Sequence, residues 1–278
     1  MSAFFDRTVE RDEEVLTPLE RATGAWSAGT IRGPAITLLL ARALEEQART
    51  RPELRAVRAT YDLHSPVPQL PLRSRSQVLR VGRRLMLIES ELVIDDSVRA
   101  RARGLFLHPD GKEVASGPGE RPASPLPPAP DVRLGEKASD GMLFWSEEAS
   151  WTTHRAPHQH AEPKAVWFAA DSLVAGEELT GFQLASAAAD MGNVVVNWGP
   201  EGVGEINADV SVSLARMPAA GEVGVLSLTR LTEGGVSVGS AVLFDRLGAF
   251  GTTTVSSIPT AGDPINYAPE TSTSLSAG

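Results

Sequence analysis

The chain has no cysteine among its 278 residues. This excludes disulfide bonds, a cysteine-ligated zinc ion and a cysteine nucleophile, and it is typical of a reducing compartment, so we expect a cytoplasmic protein. No apolar run reaches the roughly 18 residues of a membrane span. The N-terminal stretch MSAFFDRTVERDEEV turns acidic before an apolar segment forms. We therefore expect neither a membrane helix nor a signal peptide.

Positive charge is scarce as well. There are 26 Lys and Arg residues against 35 Asp and Glu, which gives a formal net charge of −9. An acidic chain is a poor match for nucleic acid or for an anionic membrane surface, so we expect neither as a partner. The apolar content of 42% is that of a globular protein. The length suffices for one large domain or for two ordinary ones.

Two common kinds of catalytic centre are not indicated. No GxSxG nucleophile elbow occurs, so a serine nucleophile is unsupported. Three of the five histidines lie in HRAPHQH (154–160), but their spacing is irregular and no acidic residue completes a ligand set. We therefore predict no metal and no cofactor.

The chain contains a weak internal repeat of roughly 150 residues. In the first unit GPAITLLLARALEEQ opens with Gly-Pro and has apolar periodicity, which predicts a helix over about 34–47. In the second unit GEELTGFQLASAAADMGN predicts a helix that Thr180 caps and that Gly192 ends. Strand-like stretches follow each helix in the same order. INADVSVSLARMP, for example, alternates apolar with polar or small residues.

The repeat predicts an α+β fold of two related units, each with one helix and an antiparallel sheet. We place the units at residues 1–108 and 142–258. The segment 109–141 between them is rich in Pro, Gly and Ser and is predicted to be a flexible linker. The tail 259–278 is predicted to be disordered. A curved sheet wrapped around one helix, occurring twice in a chain, is a double hot dog.

Five stretches carry a resemblance to a known family. They are GAWSAGTIRGPAITLLLARALEE, VLRVGRR, LVAGEELTGFQLASAAADMGN, EINADVSVSLARMPAAGE and VLFDRLGAFG. In this order they resemble a type II (TesB-like) acyl-CoA thioesterase, over most of both halves. The resemblance implies a role in lipid metabolism, in which water hydrolyses an acyl-CoA thioester to free acid and CoA without a covalent intermediate. It also implies a homo-oligomer, expected as a dimer.

The resemblance also implies the catalytic residues. The carboxylate on the helix corresponds to Asp190, and the hydrogen-bonding residue on the next strand corresponds to Asn207. The family's glutamine corresponds to Ser256, which is shorter and has one hydroxyl in place of an amide. Thr254, expected on the same strand face, could substitute in part. Backbone N–H groups at the helix N-terminus beside Gly181 are expected to stabilise the oxyanion.

A comparison of the two halves assigns the chemistry to the second. At three positions where the second half has a small polar or acidic side chain, the first half has an arginine, a valine or a phenylalanine. With Gly181 laid over Gly33 in the helices and Pro218 over Pro68 in the strands, the opposed pairs are Asp190 and Arg42, Asn207 and Val57, and Ser256 and Phe106.

Other residues have weaker signals. Asp209 is expected to support the site structurally. Arg80, Arg83 and Arg84 in LRVGRRL are candidates for contacts with CoA phosphates, although arginines at strand ends are commonly solvated. A charged residue on a helix is also commonly solvated, and this is the plain alternative for Asp190.

Two other functions stay open. One is a non-hydrolytic acyl-thioester binding protein that has lost the glutamine. A Ser256→Gln change would then do nothing, whereas in a hydrolase it would raise activity. The other is an enoyl-thioester hydratase on the same fold, which needs an Asp/His pair that the sequence does not indicate; His64, in YDLHSPVP, is expected at a turn.

Overall fold

The two predicted helices are present in a computed structural model, which describes residues 3–24, 29–112, 125–131, 134, 141–219 and 221–267. Helix α1 spans Gly33–Ala48, with proline in its first turn. Helix α2 spans Gly181–Asn197, and the hydroxyl of its N-cap Thr180 accepts a hydrogen bond from the Gln183 N–H. Both starts agree with the sequence prediction, because proline and threonine suit these positions.

The prediction that Gly192 ends α2 is wrong. The helix continues for five more residues to Asn197, and Gly192 lies inside it. A Cβ atom at this position would lie 2.8 Å from the Cγ2 of Thr253. The glycine therefore serves close packing of the helix against a strand rather than a helix stop.

The described residues form fifteen strands in addition to the two helices. The first half contains β1 (Ala3–Glu10), β2 (Glu13–Pro18), β3 (Arg55–Leu63), β4 (Arg73–Val81), β5 (Leu85–Ile94) and β6 (Ser97–Leu107). The second half contains β7 (Met142–Ser146), β8 (Lys164–Phe168), β9 (Ser172–Val174), β10 (Trp198–Gly199), β11 (Gly202–Val203), β12 (Glu205–Leu214), β13 (Val223–Glu233), β14 (Val236–Asp245) and β15 (Gly248–Pro259).

Ten strands form one antiparallel sheet in the order β4-β5-β6-β3-β12-β15-β14-β13-β8-β7. The order β4-β5-β6-β3 in the first half is mirrored by β13-β14-β15-β12 in the second. The halves meet where β3 pairs with β12. The repeat detected in the sequence is thus a repeat of strand order, and the two sheets join edge to edge within one chain.

The helices lie side by side on one face of this sheet, and they run antiparallel. The Glu45 carboxylate near the end of α1 accepts hydrogen bonds of 2.8 Å from Thr180 and Gln183 at the start of α2. A single apolar core includes residues of both helices and both halves of the sheet. Burial of this shared core couples the two units into one body.

The predicted limits of the units, linker and tail stay predictions. Residues 113–124, 132–133, 135–140 and 268–278, where most of the linker and tail lie, are outside the described residues. Within the linker, Leu126, Ala129 and Leu134 pack on a second apolar cluster around Trp167. Across the units, β1 pairs in parallel with β9.

Candidate active site

The carboxylate of Asp190 lies inside the molecule rather than on a solvated helix face. The residue is 7% exposed and sits in the middle of α2. Its Oδ1 accepts a hydrogen bond of 3.0 Å from the Asn207 side-chain amide. Burial raises the pKa of Asp190 to about 6, while the Asn207 hydrogen bond and the positive charge of Arg32 act to lower it. Such a carboxyl can accept and return a proton near neutral pH.

A β-bulge in β12 directs Asn207 toward Asp190. Asn207 pairs with Ser257 of β15, whereas Asp209 pairs with Ser256, so Ala208 is the extra residue. Val210 and Val212 face the core beyond the bulge. Strict alternation from these valines would turn Asn207 to the outer face, and the bulge reverses this.

The N-terminus of α1 meets Asp190. A Cβ atom built on Gly33, the first residue of α1, would fall on the Asp190 carboxylate. Pro34 has no N–H, and the N–H groups of Ala35 and Ile36 are directed to the Arg32 carbonyl. The backbone donor that remains for a ligand in this first turn is therefore that of Gly33.

The structure does not bring Gly181 to this site. Nine residues separate it from Asp190 along α2, which corresponds to about 13 Å of helix. Its nearest neighbours are Met217 and Pro218. Because the helices run antiparallel, the helix N-terminus beside Asp190 belongs to α1 in the other half of the chain.

Ser256 and Thr254 are not brought to the site either. Thr253, Val255 and Ser257 are the buried residues of this part of β15, so the two residues between them face the opposite surface of the sheet. On the inner face, Thr253 donates to the Ala189 carbonyl at 3.1 Å. A Ser256→Gln side chain would therefore start from the outer face, and we do not expect it to restore a group beside Asp190.

The comparison of the two halves in the sequence aligned their strands one residue out of register. Both halves carry a bulge, at Val57 in β3 and at Ala208 in β12. Superposing the bulges makes Ala56 the equivalent of Asn207, and Phe106 the equivalent of Ser257 rather than of Ser256. A slip of one residue moves every side chain of a strand to the other face.

Asp209 lies on the outer face and supports the bulge. Its Oδ1 accepts a hydrogen bond of 2.9 Å from the Ser256 backbone N–H. A side chain thus supplies an acceptor for a backbone donor where the regular pairing of β12 and β15 is interrupted. This contact agrees with the structural role expected for Asp209.

A small cleft lies at the start of α1, next to Met191, the residue that follows Asp190. Its apolar wall consists of Phe4, Pro34, Met142, Phe168, Ala169, Ala170 and Met191. Arg21 and Arg32 line both this cleft and an adjoining polar groove. Arg21 forms an ion pair of 2.7 Å with Asp171, which also lines the cleft. The cleft therefore combines apolar residues with positive charge.

The predicted phosphate contacts Arg80, Arg83 and Arg84 lie elsewhere. The loop between β4 and β5 is held by Arg51, which follows α1 and donates to the carbonyls of Gly82 and Arg83. Asp190 faces the other end of this helix, which is about 24 Å long. The structure thus separates these arginines from the candidate site.

In the first half an ion cluster takes the place of the site. Arg42, the equivalent of Asp190, is 7% exposed. Its guanidinium binds Glu14 at 2.7 Å, Glu177 at 2.9 Å and Glu46 at 3.2 Å. Every donor nitrogen of Arg42 is engaged by carboxylates, so Arg42 has a structural role at the position where the second half has a carboxyl bound by the Asn207 amide.

The histidine-rich loop has a structural use. His158 is buried, and its Nδ1 lies 2.9 Å from the Ser146 hydroxyl. Gln159 binds the backbone N–H of Tyr267 and the side chain of Asn266, which fastens the C-terminal segment. Among the described residues, no group of three His, Asp or Glu side chains is arranged to hold a metal ion.

Sequence reasoning missed three contributors: Gly33, Arg32 and Asn193. Gly33 and Arg32 come from the first half, and only the packing of the helices brings them to Asp190. Asn193 could have been found, because it follows Asp190 by three residues on the same helix face.

Comparison with known proteins agrees with the family resemblance found in the sequence. Residues 22–107 match the family model of the acyl-CoA thioesterase N-terminal domain. The tesB protein of Mycobacterium avium subsp. paratuberculosis has the same fold, with a TM-score of 0.63 and 17% identity over 89% of this chain and 93% of that chain. The resemblance to TesB-like acyl-CoA thioesterases is confirmed.

Two further solved structures share this TesB-like fold. An acyl-CoA thioesterase II from Mycobacterium marinum has a TM-score of 0.59 and 14% identity, over 95% of this chain and 97% of that chain. A hot dog protein of unknown function from Alicyclobacillus acidocaldarius has a TM-score of 0.65 and 13% identity, over 92% of this chain and 96% of that chain. The predicted double hot dog is confirmed. A search among curated proteins finds no match.

Proposed function

We propose that the TesB-like chain hydrolyses an acyl-CoA thioester to a free acid and CoA, with Asp190 and Asn207 orienting the attacking water. One observation carries the proposal. The carboxyl of Asp190 is buried, is bound by the Asn207 amide and lies against the N-terminus of α1, where Pro34 and Met191 line a small cleft. A structural carboxylate would more commonly be paired with a cation, as the glutamates around Arg42 are.

The reaction needs no covalent intermediate. Asp190 takes a proton from water as the water oxygen attacks the thioester carbonyl carbon. The oxyanion that forms is stabilised by the Gly33 N–H and by the positive end of the α1 dipole. When the C–S bond breaks, Asp190 returns the proton to the thiolate sulfur, which leaves the acid and CoA and restores the carboxylate.

The residues that line the cleft have the chemical character that the two parts of such a substrate need. Apolar side chains form most of the lining, and burial of an acyl chain against them would provide binding energy, but the cleft has a volume of only about 30 Å³ and must widen to admit the chain. Arg21 and Arg32, which also line the cleft, suit the phosphates of CoA, because guanidinium groups bind phosphate oxygens with paired hydrogen bonds. This assignment replaces Arg80, Arg83 and Arg84 as the proposed phosphate contacts.

The proposal is tested by thiol release from acyl-CoAs of short to long chain. We expect turnover in the wild type and a fall of about 100-fold in kcat for Asn207→Ala, because the amide that orients Asp190 is lost. Thr254→Ala, on the outer face of β15, is the control and should retain full activity. Binding of acyl-CoA without thiol release by the wild type would instead favour the acyl-thioester binding protein.

The pH profile of kcat should report Asp190. The base must be ionised to take a proton from water, and burial raises the pKa of Asp190 to about 6. We therefore expect kcat to be highest above neutral pH and to fall tenfold per pH unit below about 6. Steady-state rates between pH 4.5 and 8.5 measure this. A profile that stays flat to pH 4.5 would contradict Asp190 as the base.

Location and assembly belong to the same proposal. None of the helices in the described parts of the chain is both long and apolar enough to cross a membrane. The cytoplasmic location and the homodimer stay predictions, which cell fractionation and sedimentation equilibrium would test.

A further inference from the structure

We propose that Asn193 is a positioning residue that holds the start of β12, so that Asn207 faces Asp190. The inference rests on the proposed function, because it assigns a second residue to the same site. Asn193 lies on α2 one turn after Asp190, on the face that meets β12. In the described part of the chain, Asn193 forms no hydrogen bond with Asp190 or Asn207. It acts through the backbone of β12.

The contacts of the Asn193 amide fix its orientation. Its Nδ2 donates to the Glu205 carbonyl at 3.1 Å. Its Oδ1 accepts from the Asn197 amide at 2.8 Å and from the Ser257 hydroxyl at 2.9 Å. Since the amide nitrogen only donates and the oxygen only accepts, this set of partners admits one orientation of the side chain. Asn193 is 2% exposed, so each of these hydrogen bonds is shielded from water.

The Glu205 carbonyl is a sensitive point of the strand. β3 pairs with β12 only from Asp209 to Ser213, so Glu205 lies beyond the end of β3. Along β12, Asn207 lies between Glu205 and the bulge at Ala208. Asn193 therefore holds β12 before the bulge, and Asp209 holds it after the bulge through the Ser256 N–H. The residue that contacts Asp190 is fixed from both sides.

The network continues to the protein surface and is anchored there. Arg230 donates from Nε to the Asn197 Oδ1 at 3.1 Å, and it forms an ion pair with the Glu205 side chain. Helix α2 and strand β12 are thus tied by both the backbone and the side chain of Glu205. In the first half, Glu45 has the equivalent helix position but binds Thr180 and Gln183 on the other helix. The tie to the strand is specific to the half that carries Asp190.

The first test is the kinetics of Asn193→Leu in the full chain. This change keeps the size of the side chain and removes its hydrogen bonds. We expect kcat for acyl-CoA hydrolysis to fall about 10-fold with KM within twofold, because the base is mispositioned while the cleft is intact. In the Asn207→Ala background the change should cost nothing further. Ser186→Ala is the matched control, a buried residue on the same helix whose hydroxyl binds Tyr61, and it should leave kcat unchanged.

The second test does not depend on turnover. The Asp190 carboxyl is titrated by carbon NMR in the wild type, Asn193→Leu, Asn207→Ala and Ser186→Ala. Loss of the Asn207 hydrogen bond should raise the pKa of Asp190 equally in Asn207→Ala and Asn193→Leu, but not in Ser186→Ala. Asn193→Ser, whose hydroxyl is too short to reach Glu205, replaces the leucine variant if that variant does not fold.

The outcomes separate the two proposals. If the wild type releases no thiol, the proposed hydrolysis fails, while the titration still decides the role of Asn193. If the Asp190 titration in a folded Asn193 variant matches the wild type, Asn193 does not position Asn207 and the inference is overturned, whatever the rates are. A fall in kcat that adds fully to that of Asn207→Ala would overturn it too.

Discussion

Asp190→Asn is expected to lower kcat for acyl-CoA hydrolysis by about 1000-fold, the effect of removing a general base. Asparagine has nearly the same shape as aspartate, and its oxygen can still accept the hydrogen bond that Asn207 donates. The change therefore removes the proton acceptor and leaves the cleft intact, so acyl-CoA should bind with unchanged affinity. Thiol-release rates and a binding titration measure the two effects. A variant with wild-type kcat would exclude Asp190 as the base.

The same variant is expected to be more stable than the wild type at pH 8. Burial raises the pKa of Asp190 in the folded protein to about 6, above its value in an unfolded chain, so the folded state binds the proton more tightly. Wild-type stability is then highest below the unfolded pKa, and it falls as pH rises through the folded one. Asparagine avoids this loss, which we estimate at about 3 kcal/mol above pH 7.

Urea unfolding at pH 4 and pH 8 measures this difference. The gain of Asp190→Asn should be present at pH 8 and vanish at pH 4, where the wild-type carboxyl is protonated. Asp263→Asn, at an exposed position, is the control and should show no gain at either pH. Equal stability of wild type and Asp190→Asn at pH 8 would mean that the carboxylate carries no cost in the fold. A gain combined with loss of activity is the trade-off expected at a catalytic position.

Arg42→Met is expected to have the largest effect on stability, lowering the free energy of unfolding by about 3 kcal/mol. Methionine fills much of the same space but leaves Glu14, Glu46 and Glu177 close together without their shared cation. Side chains that are about one third exposed keep part of their hydration, so we place the loss at the low end for a broken buried ion pair. The loss should shrink in acid, as these glutamates become protonated.

The comparison for Arg42→Met is Arg75→Met. Arg75 also pairs with a glutamate, Glu91 at 3.3 Å, but its side chain is 58% exposed. Its loss should cost well under 1 kcal/mol, because exposed ion pairs contribute little. The folded Arg42→Met protein should keep its kcat, since Arg42 lies nine residues after Gly33 on α1, about 13 Å along the helix. If Arg42→Met lowered the free energy of unfolding as little as Arg75→Met, the ion cluster around Arg42 would not stabilise the fold.

Much of the fold could be predicted from local patterns. Proline at the start of α1 and Thr180 at the start of α2 set the helix starts, because both residues act within one turn. The repeat predicted that strands follow each helix in the same order along the chain. The end of α2 was predicted wrongly, since a glycine required by the contact with Thr253 looks in the sequence like a helix stop. A glycine that ends a helix and a glycine packed inside a helix give the same local signal. Only the contact with Thr253, from a distant strand, distinguishes them.

The sequence by itself determined the two units and their helices, because these follow from spacing along single elements, and its resemblance to a known family indicated Asp190 and Asn207 as the residues to examine. Only the tertiary structure decided what surrounds them. Antiparallel packing placed Gly33, not Gly181, beside Asp190, and the register of β15 put Ser257, not Ser256, on the inner face. The physical reason is the same for both. Helix pairing and strand register depend on contacts between segments far apart in the chain, and one residue of register reverses the face of a strand.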